Sequence, residues 1–137
     1  MLKLVIAFVS TAVVFGAMDA VWLTLMGERL YKPALGDLMS GKVDGLAAVL
    51  FYVIYLSGLV YFAVWPALQS GDWRKALLNG VVLGVVAYAT YDLTNQATLR
   101  NWSVRVTVAD LCWGAFVSAT AATIGYAITA WANRAIS

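Results

Sequence analysis

The sequence predicts an all-α membrane protein, a bundle of four transmembrane helices with a short interfacial helix between the first two. Two observations carry that expectation. The hydrophobic set makes up 63% of the 137 residues while charged residues make up 12%, a balance unlike that of a water-soluble domain. The apolar residues also form long blocks rather than amphipathic stripes interrupted every turn or two. Four blocks stand out, at about 2–26, 46–68, 76–99 and 104–131. Each holds at least about 20 residues, which at about 1.5 Å per residue crosses a hydrocarbon core of roughly 30 Å. The chain therefore reads as a single membrane domain covering 1–137.

Span 1 begins after Lys3 and reaches Gly16 and Ala17 in the manner of a signal peptide, but Val21 to Met26 extend the apolar run past that point. The following loop, Gly27 to Gly45, carries Leu30, Tyr31, Leu35, Leu38 and Met39 around Pro33, spaced for a short amphipathic helix lying on the membrane as a lid. Span 2 approaches its end at Pro66, and Ser70-Gly71-Asp72 makes a turn flanked by Trp65 and Trp73 as interfacial anchors. Tyr31, Trp102 and Trp131 suit the same anchoring role. Asn101-Trp102-Ser103 matches a glycosylation sequon but reads better as the turn opening span 4, with Ser103 as its cap.

With four spans both termini share one side, together with Lys3, Arg74, Lys75 and Arg134, while Arg29, Lys32, Lys42, Arg100 and Arg105 occupy the other. That near-even split gives no orientation by the positive-inside rule. The net charge of +2 is scattered, which excludes a nucleic-acid surface. Cys112 is the sole cysteine and histidine is absent, so an intrachain disulfide and the usual neutral-pH base, haem ligand and zinc ligand are excluded. No cofactor is implied, and no metal motif is present.

Small residues mark where helices can approach closely. They recur as Ala12, Gly16 and Ala20 in span 1, as the Gly80/Gly84 pair in span 3, and as a stripe from Thr107 through Gly114 and Ser118 to Gly125 in span 4. Such faces pack the bundle itself, or join copies into a homo-oligomer or a larger membrane complex.

The functional argument rests on three of the seven acidic residues, Asp19, Asp92 and Asp110, which lie inside apolar blocks. A charged Asp near mid-helix costs on the order of 2.5–3.5 kcal/mol on insertion scales. Asp19 and Asp92 each lie about seven residues before the end of a span, and Asp110 about six after the start of one. All three therefore belong to one level, roughly 10 Å below the same membrane surface. Around them the spacing gathers Trp22, Tyr88, Tyr91, Asn95 and Trp113, with Tyr52 and Tyr55 from span 2. The resulting cavity would be lined by acids, an amide, hydroxyls and aromatics and open toward Arg100, Arg105, Arg29 and Lys32. Carboxylates this close require a shared proton, a bound cation or an arginine. Cys112 points about 160° away from Asp110 and carries no chemistry in this reading.

At these residues the sequence resembles a domain-of-unknown-function family of small four-span bacterial inner-membrane proteins. The strings that carry the likeness are Met18-Asp19-Ala20-Val21-Trp22-Leu23, Phe51-Tyr52-Val53-Ile54-Tyr55 with Gly58-Leu59-Val60-Tyr61-Phe62, Tyr88-Ala89-Thr90-Tyr91-Asp92-Leu93-Thr94-Asn95, and Asp110 with Trp113-Gly114. The resemblance implies a multi-pass protein of the bacterial inner membrane.

Three roles fit these residues. The first is a pocket that binds or acts on a lipid-like or amphiphilic small molecule, membrane lipid included. Asp19, Asp92 and Asp110 would be its candidate catalytic, proton-transferring or cation-holding groups, and Asn95 and the tyrosine hydroxyls its orienting donors. The second is a small proton-coupled transporter, similar in architecture to the small multidrug-resistance exporters. The third is a structural accessory subunit of a larger membrane complex. Against all three stands the simpler possibility that the acids only fix the bundle's register through hydrogen bonds of about 0.6 kcal/mol each.

Overall fold

In the computed structural model, which describes residues 1–136, four helices are long and apolar enough to cross a membrane: α1 (Leu2–Leu38), α2 (Gly45–Ser70), α3 (Trp73–Thr98) and α4 (Val104–Ile136). Among the described residues there is no strand. The four helices coincide with the four apolar blocks, and their outward surfaces are apolar. Ile54, Tyr61, Val82 and Phe116 are all exposed, as lipid-facing side chains must be.

The helix ends follow local chemistry. Asp44 caps α2 by accepting the Ala47 backbone N–H at 3.0 Å, and Asp72 caps α3 by accepting that of Arg74 at 3.0 Å. Gly71 ends α2 with φ +69°, the left-handed conformation that glycine adopts without a Cβ penalty. Both prolines sit inside helices, and each follows a π turn: Gly27–Tyr31 precedes Pro33, and Val60–Val64 precedes Pro66. A wider turn eases the clash of the proline ring with the preceding turn. Pro66 has no N–H to give to the carbonyl of Phe62, and the Asn79 side chain of α3 donates to that carbonyl at 2.9 Å instead.

The first π turn changes the expected boundary of span 1. Gly27 reads as a helix stop, yet its backbone is right-handed helical (φ −52°, ψ −52°). The segment expected as a separate interfacial helix instead continues α1 through Leu38. Leu30 is buried and Lys32 pairs with Glu28 one turn earlier.

Helix α4 is the hub, packing along α3 and α1. The small-residue stripes account for this. A Cβ on Gly80 would lie 2.8 Å from the Ala119 Cα, and one on Gly84 would lie 2.6 Å from the Gly114 carbonyl carbon. Neither is tolerable, so glycine is what allows this approach. On the other side, Gly125 meets Thr11 of α1. Phe15, Leu59, Val64 and Val117 fill the interior completely. At Gly80, Gly84, Gly114 and Gly125 the stripes of α3 and α4 thus pack against other parts of the same chain. In α1, by contrast, nothing lies within 4 Å of a Cβ built on Gly16.

Candidate functional site

The register of α3 on α4 is antiparallel, Gly80 against Ala119 and Gly84 against Gly114. Continuing along it brings Asp92 to Asp110, and their carboxyls interact directly. Asp19 of α1 lies close enough to Asp110 for its charge to be felt there. The three acids predicted to share a level therefore meet at one end of the bundle. All are buried, Asp92 fully so.

Their surroundings differ. Asp19 is well supplied with donors, since the Tyr52 hydroxyl donates to its Oδ2 and the Trp113 indole N–H donates to its Oδ1 at 3.3 Å. Asp110 receives the Tyr31 hydroxyl at Oδ1, 2.5 Å away, and Tyr31 in turn accepts the Trp22 indole N–H at 2.8 Å. Trp22 and Trp113 stack with centroids 4.5 Å apart and planes 7° from parallel, which ties these two donor sets together. Asp92 has no donor for either oxygen except the facing Asp110 carboxyl, with which it hydrogen-bonds. A buried acceptor left without any donor costs on the order of 1–3 kcal/mol, more if charged, so the pair is accommodated only by sharing a proton or by taking a cation.

Beside this pair a cavity of about 610 Å³ opens between α2 and α3, lined by Phe51, Tyr55, Ala87, Tyr88, Thr90, Tyr91 and Asp110. Its walls are aromatic and aliphatic, and Asp110 is its one carboxylate. Tyr55 is fixed by a 2.5 Å hydrogen bond to Ser118 and by Tyr88 edge-on at 6.3 Å. Tyr91 is exposed and meets Trp102 edge-on at 5.7 Å, while Trp102 donates to Thr107 at 3.0 Å. Asn95 sits one turn beyond Tyr91 and engages its side chain.

The arginines are placed otherwise than the sequence suggested. Arg100 is exposed and lines none of these spaces. Arg105 and Arg29 line a separate cavity with Trp22, Val108 and Cys112. Arg105 precedes Asp110 by five residues, about 140° around the helix, which puts it on the face of Cys112 instead. Among the described residues the Lys32–Glu28 pair is the only ion pair, so no basic side chain neutralises the acids. No group of three acidic, His or Cys side chains among the described residues is arranged to hold a metal ion.

Two participants lay outside the sequence expectation. Tyr31 was expected as an interfacial anchor and is the donor to Asp110. Ser118 was expected as a packing residue and holds Tyr55. The available signal for Tyr31 was the helical spacing of Leu30, Leu35 and Leu38 beyond Gly27, which shows that the helix need not stop there.

Set against known proteins, the chain matches the family model described as "Predicted membrane protein (DUF2177)" over residues 4–127. No curated protein and no solved structure matches it.

Proposed function

We propose that this chain, which belongs to the DUF2177 family of predicted membrane proteins, binds a lipid-like amphiphile in the cavity between α2 and α3, with the Asp92–Asp110 pair as its polar end. One observation carries the reading. An apolar, aromatic-walled space of about 610 Å³ abuts Asp110, and against Asp110 stands the fully buried carboxyl of Asp92, which has no other side-chain donor. A small-molecule site commonly has this form, an apolar recess with a few convergent polar groups. The recess takes one alkyl chain and a small head while a lipid's second chain stays in the bilayer, and access from lipid requires no passage through water.

The energetics place the selectivity at the acids. Moving an alkyl tail from bilayer to an aromatic-walled recess gains little, because lipid is already as apolar as the recess. The polar head must supply the preference, and only the carboxyl end of the cavity can read it. Asp19, held by Tyr52 and Trp113, braces Trp113 and its stacked partner Trp22, and Trp22 in turn orients Tyr31. The resemblance of its motifs supports residence in the bacterial inner membrane.

The test compares amphiphiles that copurify with the wild type, with Asp110→Asn and with Ala87→Trp, which fills the recess while leaving both acids in place. Lipid extracts analysed by mass spectrometry should show one species enriched on the wild type and depleted several-fold on both variants. Identical extracts from all three proteins would contradict the proposal.

A further inference from the structure

We infer that the head group received at the Asp92–Asp110 pair is a protonated amine; this rests on the amphiphile reading above and names its ligand class. Asp92 has no donor other than the Asp110 carboxyl that faces it, and besides Asp92 the donor reaching Asp110 is Tyr31 at Oδ1. Two carboxyls thus share one neutral donor and each other, with Asp110 at the cavity wall and Asp92 against it. Among the described residues no basic side chain pairs with them. Arg29 and Arg105 belong to the cavity on the Cys112 face, and Lys32 is held by Glu28.

Candidate heads are separated by charge and donor count. A phosphate or carboxylate would add an anion to two acids in a medium of low dielectric, where like charges repel strongly. A hydroxyl donates a single hydrogen bond. An ammonium brings three donors and a compensating charge, so it satisfies the acceptors and neutralises the pair in one step. The aromatic rings of Tyr88 and Tyr91 in the wall of the same cavity suit a cation further.

The experiment titrates the full chain in an uncharged detergent with three probes, read by native mass spectrometry. Phosphatidylethanolamine presents the amine on a lipid, dodecylamine presents it on a free amphiphile, and phosphatidylglycerol presents similar tails with an anionic head. Either amine should bind about tenfold or more tightly than phosphatidylglycerol, as loss of a charge-assisted hydrogen bond implies. Asp92→Asn and Asp110→Asn should each erase that preference. Binding of phosphatidylethanolamine alone assigns the amine to a lipid head, and binding of dodecylamine alone assigns it to a free amine. Should Asp110→Asn fail to fold, Asp92→Asn carries the comparison, because the side chain it replaces has only Asp110 as its partner. Phosphatidylglycerol binding as tightly as the amines, and lost in Ala87→Trp, would overturn the amine while leaving the cavity reading intact. An amine preference that persists in Asp92→Asn would also overturn it. No binding of any probe would overturn both.

Discussion

The two halves of the α3–α4 seam are built on opposite terms. From Gly114 to Ala119 the helices touch backbone to backbone, with Gly80 and Gly84 leaving no room for a Cβ. From Val106 to Trp113 the same pair of helices carries the fully buried Asp92 against Asp110 and a cavity open to one side. In one half the residues are chosen for proximity, and in the other proximity is spent on bringing two acids together. The difference teaches that the close half acts as the clamp holding the acid pair in place, since two carboxyls would not meet unaided in a low-dielectric interior.

The comparison can be broken most forcefully at Gly84. Gly84→Leu drives a side chain into the Gly114 backbone and should destabilise the bundle by about 3 kcal/mol, measured by thermal unfolding in detergent, with loss of amphiphile binding as the acids separate. A smaller change of opposite sign is expected at Asp92. Asp92→Asn puts an N–H₂ donor beside Asp110 and should stabilise the protein by about 2 kcal/mol while removing the ligand preference. Stability and binding moving in opposite directions is the mark of a group kept for a ligand. If Asp92→Asn destabilised the protein as much as it weakened binding, the acid would be structural.

Tyr31→Phe removes the donor to Asp110 and should cost about 1 kcal/mol. Faster hydrogen exchange across residues 27–38 would show that Tyr31 ties the end of α1 to the site. The smallest effect belongs to Gly16, which has open space around it. Gly16→Ala should shift stability by no more than about 0.5 kcal/mol, and a large loss there would mean that α1 has a partner on its outer face.

How much was legible beforehand depends on the kind of signal. The spans declared themselves because bilayer thickness imposes a length that composition alone reveals, and the depth of Asp19, Asp92 and Asp110 followed from counting residues to the helix ends. Direction around the helix was the weaker inference. Arg105 lies about 7 Å nearer the start of α4 than Asp110 and points to the Cys112 face, and Arg100 lies exposed beyond the end of α3. The role of Tyr31 was hidden by Gly27, a residue that usually ends a helix and here continues one through a π turn. The hydrogen bond between Tyr55 and Ser118 spans two helices distant in sequence, and no local pattern encodes such a pairing.

The central claim is that a lipid-like chain enters beside Asp110 and nowhere else along the bundle. A second recess of about 550 Å³ near Leu4, Val9, Tyr61 and Trp65 has no carboxylate and serves as an internal control. Photo-crosslinking the protein in bilayers with a lipid bearing a diazirine in its tail, then mapping adducts by mass spectrometry, separates the two. Adducts concentrated on Phe51, Tyr88 and Tyr91 and lost in Ala87→Trp are the expected result. Equal labelling of both recesses, unchanged by that substitution, would contradict the account.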